Sequence, residues 1–249
     1  MMIFKDYAAY YDLLNKDKDY KTEAKNIHQH IQDHCPDAKS ILNLGCGTGS
    51  HDFEFEKLNY EITGVDLSEE MIKIANDKKQ NHKASAEFCV GDLKKLRLNK
   101  KFDVVVSLFH VMSYQTTNED LRLAIETASL HLNKNGIFIF DCWYGPGVLA
   151  DPPGIRHRVL ENEHFRIHRI AKPLLHSQSN SVDVHFTILV YNKISHQFYE
   201  VEELHTMRYL FLPDIDFLVS NSKFNIELEN KTIEPSWNTL FILKKNEEG

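Results

Sequence analysis

The stretch Ser40-Ile-Leu-Asn-Leu-Gly-Cys-Gly-Thr-Gly49 joins a short apolar segment to three glycines spaced two apart. Glycine at these positions permits a tight turn with positive φ and lets a ligand approach the bare backbone. A helical stretch follows, so its free N–H groups should point into the same turn. Strand, glycine-rich turn and helix form the first half of a nucleotide-binding βαβ unit, with a plain tight loop as the alternative.

Two later segments end in an acidic residue, as a binding crevice at a sheet edge requires. Glu61–Asp66 has the pattern of a second strand, and Asp66 is placed to accept hydrogen bonds from ribose hydroxyls. Residues 88–92 repeat the pattern and end in Gly-Asp. Because the carboxyl ends of parallel strands meet at one edge, the three turns are predicted to line one crevice.

Strands and helices alternate along most of the chain, which predicts an α/β fold with right-handed crossovers. We expect a Rossmann-like, doubly wound, mostly parallel seven-stranded sheet with a small antiparallel β layer inserted before its last two strands. A final helix is predicted at 213–221. The predicted strands are Ser40–Leu44, Glu61–Asp66, 86–90, 101–109, 137–140, 224–228 and 239–243.

The inserted layer is predicted from a change of pattern after residue 141. Residues 142–154 are rich in turn formers, and alternation of period two follows from about 165 to 212. The chain therefore divides into 1–141 (an N-terminal lid and the cofactor-binding part), 142–212 (an antiparallel cap) and 213–249 (the end of the sheet). Whether the cap closes the site or forms a dimer surface stays open.

The composition favours some classes of partner over others. The chain has 249 residues, 42% of them hydrophobic, and a net charge of −7, which argues against a nucleic-acid partner. Four cysteines without CxxC spacing are typical of core residues in a reducing compartment. Without an apolar run of membrane-spanning length, a cytoplasmic protein that contacts no membrane is expected. The spacing of His30 and His34 could suit a metal, but no ligand motif accompanies it, and no metal site is predicted.

The glycine spacing is Gly-x-Gly-x-Gly, which differs from the dinucleotide pattern. It resembles motif I of the class I S-adenosylmethionine-dependent methyltransferases, in which Asp66 matches the ribose-binding acid and Asp92 the adenine position. Asn43 departs from the family, which usually carries an acid there. The resemblance implies S-adenosylmethionine as cofactor, bound by Tyr11, Tyr20, Asn43, Gly45, Cys46, Gly47, Gly49, Asp66, Leu67, Met71, Gly91, Asp92, Leu93 and Ser107.

Shorter blocks resemble a narrower family, the dTDP-amino-sugar N-methyltransferases. These blocks are Tyr11-Asp-Leu-Leu, Lys18-Asp-Tyr20, Phe140-Asp-Cys-Trp-Tyr-Gly-Pro, Ile167-His-Arg169, Val182-Asp-Val-His-Phe and Glu203-x-His205. The likeness implies that N-terminal tyrosines close over the cofactor and that the segment after strand four lies beside the acceptor nitrogen. The implied catalytic residues are Tyr11, His110 and Tyr114, although family members have histidine where this chain has Tyr114.

The same resemblance implies a substrate site formed by Trp143, Tyr144, Arg156, Arg169, His185, Glu203 and His205. Guanidinium groups pair well with phosphate oxygens, so Arg156, Arg158, Arg166 and Arg169 could hold a diphosphate. They could equally be exposed strand residues, and the Glu203–His205 region could be a polar cluster that holds the layer together.

The expected function is methylation of a small polar acceptor, foremost the amine of a dTDP-linked sugar. The first alternative is an O- or N-methyltransferase of another small molecule. A second is a cofactor-binding sensor or partner subunit without catalysis. The acceptor, the number of methyl groups transferred and a homodimeric state cannot be decided from the residues.

Overall fold

The computed structural model describes residues 8–229 and 237–246. Tyr7, part of the predicted lid, and the last three residues of the chain lie outside the described residues. The strands are β1 Ser40–Leu44, β2 Glu61–Asp66, β3 Glu87–Val90, β4 Phe102–Ser107, β5 Leu132–Tyr144, β6 Arg156–Glu161, β7 Phe165–His176, β8 Ser181–Asn192, β9 Gln197–Leu210, β10 Phe224–Glu229 and β11 Asn238–Lys245. The helices are α1 Tyr11–Leu14, α2 Tyr20–His34, α3 Ser50–Lys57, α4 Glu69–His82, α5 Asn118–His131, α6 Gly145–Ala150 and α7 Leu212–Ser220.

Seven strands form the central sheet, in the order β3-β2-β1-β4-β5-β11-β10. The first five run parallel, and β11 pairs antiparallel with both β5 and β10. The strand order reverses between β1 and β4, and this reversal is where open α/β sheets bind ligands at their carboxyl edge. The predicted α/β class and sheet architecture are confirmed.

Helices cover both faces of this sheet, which explains why its middle strands are continuously apolar. Ile27 and Ile31 of α2 and Phe55 of α3 pack on one face. Leu121 and Ile125 of α5 belong to the core on the other face. The glycine turn is therefore held between two packed layers, and its position is set by the core beneath it.

The antiparallel layer, β6–β9, is attached to the sheet at the end of β5. Strand β5 continues past the last residue of β4, and its residues Trp143 and Tyr144 pair with Tyr209 and Leu210 of β9. Strands β9, β8, β7 and β6 then follow one another as antiparallel neighbours. This attachment places the layer over the carboxyl edge of the sheet, where the glycine turn lies.

Two details differ from the sequence prediction. Strand β5 spans Leu132–Tyr144 and not only 137–140, because Phe102 of β4 pairs with Leu132 at its start, and β11 and β9 pair with it beyond the last residue of β4. Helix α6 occupies part of the region predicted only as turn-rich, and strand β6 lies between that region and the start of the predicted alternation. Strand β6 has exposed side chains at five of its six positions, so it lacks the apolar alternation of a half-buried strand.

Candidate functional site

A cavity of about 800 Å³ opens at the carboxyl edge of the sheet. The glycine turn, the ends of β2 and β3 and the loop after β4 form one side of it. Residues of β6–β9 form the other side. A cavity of about 860 Å³ lies among the loops near His34, Asn135 and Lys244, at the opposite end of the strands. The sheet topology favours the carboxyl-edge cavity as the functional site.

The glycine turn presents bare backbone to this cavity. Gly45 (φ 86°) lies under Val111, and a Cβ at Gly45 would be 2.5 Å from that side chain. Gly47 (φ 56°) is more open, since the nearest neighbour of an added Cβ would be the Tyr11 ring at 3.9 Å. Gly49 packs under Phe88 instead. Only the first two glycines of the motif line the cavity, and Tyr11 covers the second.

Asp66 ties the glycine turn to the end of β2. Its Oδ2 accepts a hydrogen bond from the Gly47 N–H at 2.8 Å, and its Oδ1 accepts one from the Ser68 N–H at 2.9 Å. Burial raises the pKa of this carboxyl, and the backbone hydrogen bonds oppose the rise. The carboxylate is thereby fixed at the cavity wall with lone pairs left to accept hydroxyl donors.

An apolar slot lies beside Asp66. Leu67 lines the cavity and is 62% exposed, while Met71 lines it from a buried position. Asp92 and Leu93 complete the slot, and the Asp92 carboxylate accepts the Lys94 N–H at 2.9 Å. A large exposed leucine beside fixed carboxylates is a surface that a flat heteroaromatic ring would cover.

Asn43 lies behind the turn and is 2% exposed. Its Nδ2 donates to Asp52 Oδ2 at 2.9 Å, and Asp52, in the first turn of α3, is fully buried. Burial raises the pKa of Asp52 from its ordinary value of 3.8 to about 7. The amide at position 43 therefore has a carboxyl group as its direct partner, nine residues further along the chain.

The N-terminal segment is anchored to the glycine turn by residues that the sequence analysis did not single out. Thr48 Oγ1 donates to Asp12 Oδ1 at 2.7 Å, and Lys78 Nζ reaches both oxygens of Asp12 at 3.1 and 3.2 Å. Lys78 also donates to Thr48 and Ser50. Because Asp12 follows Tyr11, this network sets where the Tyr11 ring lies over Gly47.

Three polar side chains, from β9 and the loop after β4, form a hydrogen-bonded chain at the cavity wall. Tyr114 ends a short 3-10 helix, Val111–Tyr114, that follows β4, and its hydroxyl lies 2.7 Å from Nδ1 of His205. Nε2 of His205 lies 2.7 Å from Oε2 of Glu203. The side chains of His205 and Glu203 are 3% and 9% exposed. Tyr114 and His205 both line the cavity.

The strand register puts three arginines on the inner face of the antiparallel layer. His205 is opposite Val184, Phe186 is opposite Ala171, and Ala171 is opposite Arg156. Paired residues share a face, so Arg156 faces the cavity, as do Arg158 and Arg169, which are paired with each other. Arg166 is three residues from Arg169 along β7 and lies on the opposite face.

His110 lies at the carboxyl end of β4 in a left-handed conformation (φ 65°). Its backbone N–H donates to Asp141 Oδ1 at 2.8 Å, and its Nδ1 is 3.6 Å from Asp141 Oδ2. Burial lowers the pKa of His110, with Asp141 opposing that shift, so the ring is held neutral near neutral pH.

The cavity brings together fifteen of the predicted site residues: Tyr11, Gly45, Gly47, Asp66, Leu67, Met71, Gly91, Asp92, Leu93, His110, Tyr114, Trp143, Arg156, Arg169 and His205. Glu203 is joined to them through His205. Asn43 and Gly49 support the turn from behind.

Five predicted residues lie away from the cavity wall. Ser107 is fully buried and donates to the Leu44 carbonyl at 2.9 Å, which joins β4 to β1. The Cys46 thiol is buried, the Tyr20 ring packs edge-on against His51 at 4.8 Å, and the Tyr144 backbone N–H donates to the Trp237 carbonyl. His185 is opposite Leu204 on the outer face of the layer and is exposed.

Within residues 8–229 and 237–246, no group of three His, Cys, Asp or Glu side chains lies close enough together to hold a metal ion. No helix in this described part of the chain is long and apolar enough to cross a membrane.

Comparison with known proteins gives consistent matches. Residues 41–136 match the model of a methyltransferase domain family. The chain is 31% identical over 185 residues to dTDP-3-amino-3,4,6-trideoxy-alpha-D-glucopyranose N,N-dimethyltransferase of Streptomyces venezuelae, which covers 74% of this chain and 76% of that protein. It is 26% identical over 185 residues to dTDP-4-amino-2,3,4,6-tetradeoxy-D-glucose N,N-dimethyltransferase of Saccharopolyspora spinosa, covering 74% and 72%.

Solved structures resemble the whole fold. The crystal structure of Streptomyces venezuelae DesVI superposes with a TM-score of 0.82 and 26% identity, over 96% of this chain and 98% of that one. The sugar N-methyltransferase KedS8 from a Streptoalloteichus species superposes with a TM-score of 0.82 and 21% identity, over 96% and 92%. The second likeness shows the fold alone.

Proposed function

The chain belongs to the S-adenosylmethionine-dependent methyltransferases, and we propose that it methylates the amino group of a dTDP-linked sugar. One observation carries the choice of acceptor: a single cavity joins the glycine turn to three inward-facing arginines. A diphosphate between a sugar and a nucleoside needs such donors, and the first relatives described above are named for dTDP-linked amino sugars.

The residues around the glycine turn fit the cofactor. The bare backbone at Gly47 leaves room that a Cβ would reduce, Asp66 offers oxygens to ribose hydroxyls, and Leu67 and Met71 offer an apolar wall for adenine. Asp92 and Leu93 would bound that ring. When bound, S-adenosylmethionine supplies an electrophilic methyl group, and the rest of the catalysis falls on positioning by the protein.

Each side of the cavity has a separate task in this proposal. Tyr11, fixed through Asp12, shields the reacting centre from water above the turn. Tyr114, His110 and Trp143, from the loop after β4 and the end of β5, bound the space where the amine enters. Arg156 and Arg169 hold the diphosphate, so the sugar is directed inward toward the turn. The inner face of residues 142–212 thus acts as a cap on the site.

The proposal is tested by offering the purified protein S-adenosylmethionine with a dTDP-amino sugar and, separately, with the same amino sugar lacking the nucleotide. Product mass and NMR would report methylation at nitrogen. We expect turnover of the linked sugar with a KM lower by about tenfold or more, since charge-assisted hydrogen bonds to the diphosphate are lost without the nucleotide.

The alternatives give different outcomes in the same assay. Equal turnover of both sugars would favour a methyltransferase of another small amine, and methylation at oxygen would favour an O-methyltransferase. Cofactor binding without turnover of any acceptor would favour the non-catalytic sensor.

We further propose a cytoplasmic location and no nucleic-acid partner, which the four free thiols and the net charge of −7 support. A homodimer through the outer face of the antiparallel layer is also proposed, since that face carries exposed apolar side chains at Val159, Leu174, Leu189 and Leu204. Sedimentation analysis of the purified protein tests the dimer.

A further inference from the structure

We propose that Tyr114, His205 and Glu203 form a proton relay that deprotonates the acceptor amine before methyl transfer. The inference rests on the proposed function, because the relay is argued for a protonated amine, whose nitrogen has no lone pair for attack until it loses a proton. It assigns Tyr114 as the residue that contacts the acceptor, with His205 and Glu203 acting through it. Glu203 and His205 are then working parts of catalysis and not simply a cross-strand polar cluster.

The hydrogen-bond chemistry fixes the direction of the relay. A carboxylate only accepts hydrogen bonds, so the 2.7 Å contact between His205 Nε2 and Glu203 Oε2 places the ring proton on Nε2. When the ring carries only this proton, Nδ1 is an acceptor, and the Tyr114 hydroxyl, 2.7 Å away, can donate to it. A phenolic oxygen is an acceptor as well as a donor, so Tyr114 can also accept a hydrogen bond from an ammonium N–H.

Because His205 and Glu203 are buried, a charge on one of them interacts strongly with a charge on the other. His205 and Glu203 are almost fully excluded from water, and the Phe186 ring packs edge-on against His205 with centroids 4.9 Å apart. A carboxylate in such a site strongly stabilises a neighbouring imidazolium. Glu203 therefore holds His205 in the required tautomer and stabilises the charge that His205 gains.

The proton transfer balances in one step. The ammonium proton of the acceptor moves to the Tyr114 oxygen, the Tyr114 proton moves to Nδ1 of His205, and the products are a neutral amine and an imidazolium paired with Glu203. The amine lone pair then forms the N–C bond to the cofactor's methyl carbon as the C–S bond breaks and sulfur keeps its electron pair. His205 releases its proton to solvent when the cavity opens.

An amine in water is mostly protonated near neutral pH, since an α-amino group has a pKa of about 8. The relay matters most there and less at alkaline pH, where the amine loses its proton unaided. The other ionisable side chains that line the cavity are Tyr11, Asp66, Asp92, Lys94, His110, Arg156, Arg158 and Arg169. His110 is the histidine among these, and because its pKa is lowered, it does not titrate at neutral to alkaline pH.

The experiment compares Tyr114→Phe, His205→Gln and Glu203→Gln with the wild-type enzyme on the dTDP-amino sugar, from about pH 7 to about pH 9.5. We expect kcat to fall about a hundredfold in the first two variants near pH 7, the usual scale of general-base catalysis, with KM little changed. The deficit should shrink as the pH rises. The kcat of Glu203→Gln should fall by a smaller factor, because the imidazole of His205 remains to accept the proton.

The chain offers a matched control. Tyr191, near the end of β8, and His196, in the turn that follows, form another tyrosine–histidine hydrogen bond, 2.9 Å long. Tyr191→Phe and His196→Gln should leave kcat and its pH profile unchanged. S-adenosylmethionine affinity, measured by calorimetry in every variant, reports whether the fold and the cofactor half of the cavity are intact.

The outcomes separate the relay from the proposed function. Wild-type turnover with relay variants that are fully active, or that lose the same factor at every pH, would overturn the relay alone. Absence of wild-type turnover on any amine would overturn both the proposed function and the relay. Wild-type turnover with a loss of kcat in the relay variants that is confined to neutral pH would support both the proposed function and the relay.

Discussion

At position 43 the chain carries an amide, and the carboxyl group that partners it belongs to Asp52. Both side chains are buried, and neither Asn43 Oδ1 nor Asp52 Oδ1 has a hydrogen-bond partner among the described residues. A protonated Asp52 supplies a donor to this pair, whereas an ionised Asp52 carries a charge out of water. The ionised form is thus disfavoured in the folded protein.

This pair predicts a dependence of stability on pH. The pKa of Asp52 is raised to about 7 in the folded protein from an ordinary value of 3.8, so between these values the folded state binds more protons than the unfolded state. Stability therefore falls as the pH rises through that window, by about 1.4 kcal/mol per pH unit at most. Asp52→Asn keeps an acceptor for Asn43 and removes the titration.

Denaturant unfolding of wild type and Asp52→Asn at several pH values from about 4.5 to about 7.5 checks this prediction. The variant should gain stability relative to wild type steadily across the series. If the unfolding free energies of wild type and variant differed by the same amount at every pH, the pKa of Asp52 would not be raised in the folded protein.

The sequence identified Tyr114, Glu203 and His205 as separate candidates but could not show that they form one chain. Tyr114 and His205 are 91 residues apart and meet only because β9 pairs with the end of β5. The position of Asp66 was more accessible to prediction, because it follows from the place of this residue at the end of β2, beside the glycine turn. Side-chain partners set by tertiary pairing leave no local signal.

At the scale of elements, the turn between β1 and α3 uses its first two glycines for different purposes. Gly45 is overlain by Val111, so a methyl group there would meet both γ-carbons at 2.5 and 2.6 Å. Gly47 has open space, and its missing side chain keeps the cavity wall clear. Gly45 is therefore required by packing, whereas Gly47 is proposed to be required by the ligand.

Alanine substitution should separate these two purposes. Gly45→Ala combines positive-φ strain with a steric clash and should destabilise the fold by about 2–4 kcal/mol. Gly47→Ala carries mainly the φ strain, about 1 kcal/mol, but should weaken S-adenosylmethionine binding about tenfold. Thermal unfolding and calorimetric titration of both variants provide the measurements. If both variants lost similar stability and neither lost cofactor affinity, the two glycines would not have separate purposes.

Elements with strong periodicity were predictable, and those defined by their neighbours were not. Strands β1, β2 and β4 have continuous apolar runs because helices cover both faces. Strand β6 pairs along one edge with β7 and leaves most of its side chains in solvent, so its residues carry charge where a buried strand would carry valine or isoleucine. Its existence follows from pairing with β7, which a single sequence does not display.

For the whole molecule, the important feature is that the parallel sheet and the antiparallel layer form opposite sides of one cavity. The sheet provides the glycine turn proposed to bind the cofactor, and the inner face of the layer, which carries the arginines, lies across the cavity from that turn. The Arg156 guanidinium lies over the Trp237 ring at 4.6 Å, and the Arg169 guanidinium lies over the Phe186 ring at 5.2 Å. Stacking of this kind holds a guanidinium flat while its N–H groups stay directed to the side.

This arrangement predicts that the arginines affect the acceptor and not the cofactor. Arg156→Gln and Arg169→Gln should each raise the KM for a dTDP-amino sugar about tenfold, by removing charge-assisted hydrogen bonds to the diphosphate. The affinity for S-adenosylmethionine should be unchanged, because its proposed contacts lie across the cavity. Higher salt should raise the wild-type KM and have less effect on the variants.

Arg166→Gln is the matched control for these measurements. Arg166 lies on the same strand as Arg169 but on its opposite face, so its loss changes net charge equally without removing a cavity donor. If Arg166→Gln raised the KM as much as Arg169→Gln, the effect would be the long-range field of one positive charge. A KM change confined to the inner-face variants would instead mean direct contact with the diphosphate, and the antiparallel layer would then be the element that selects the nucleotide-linked acceptor.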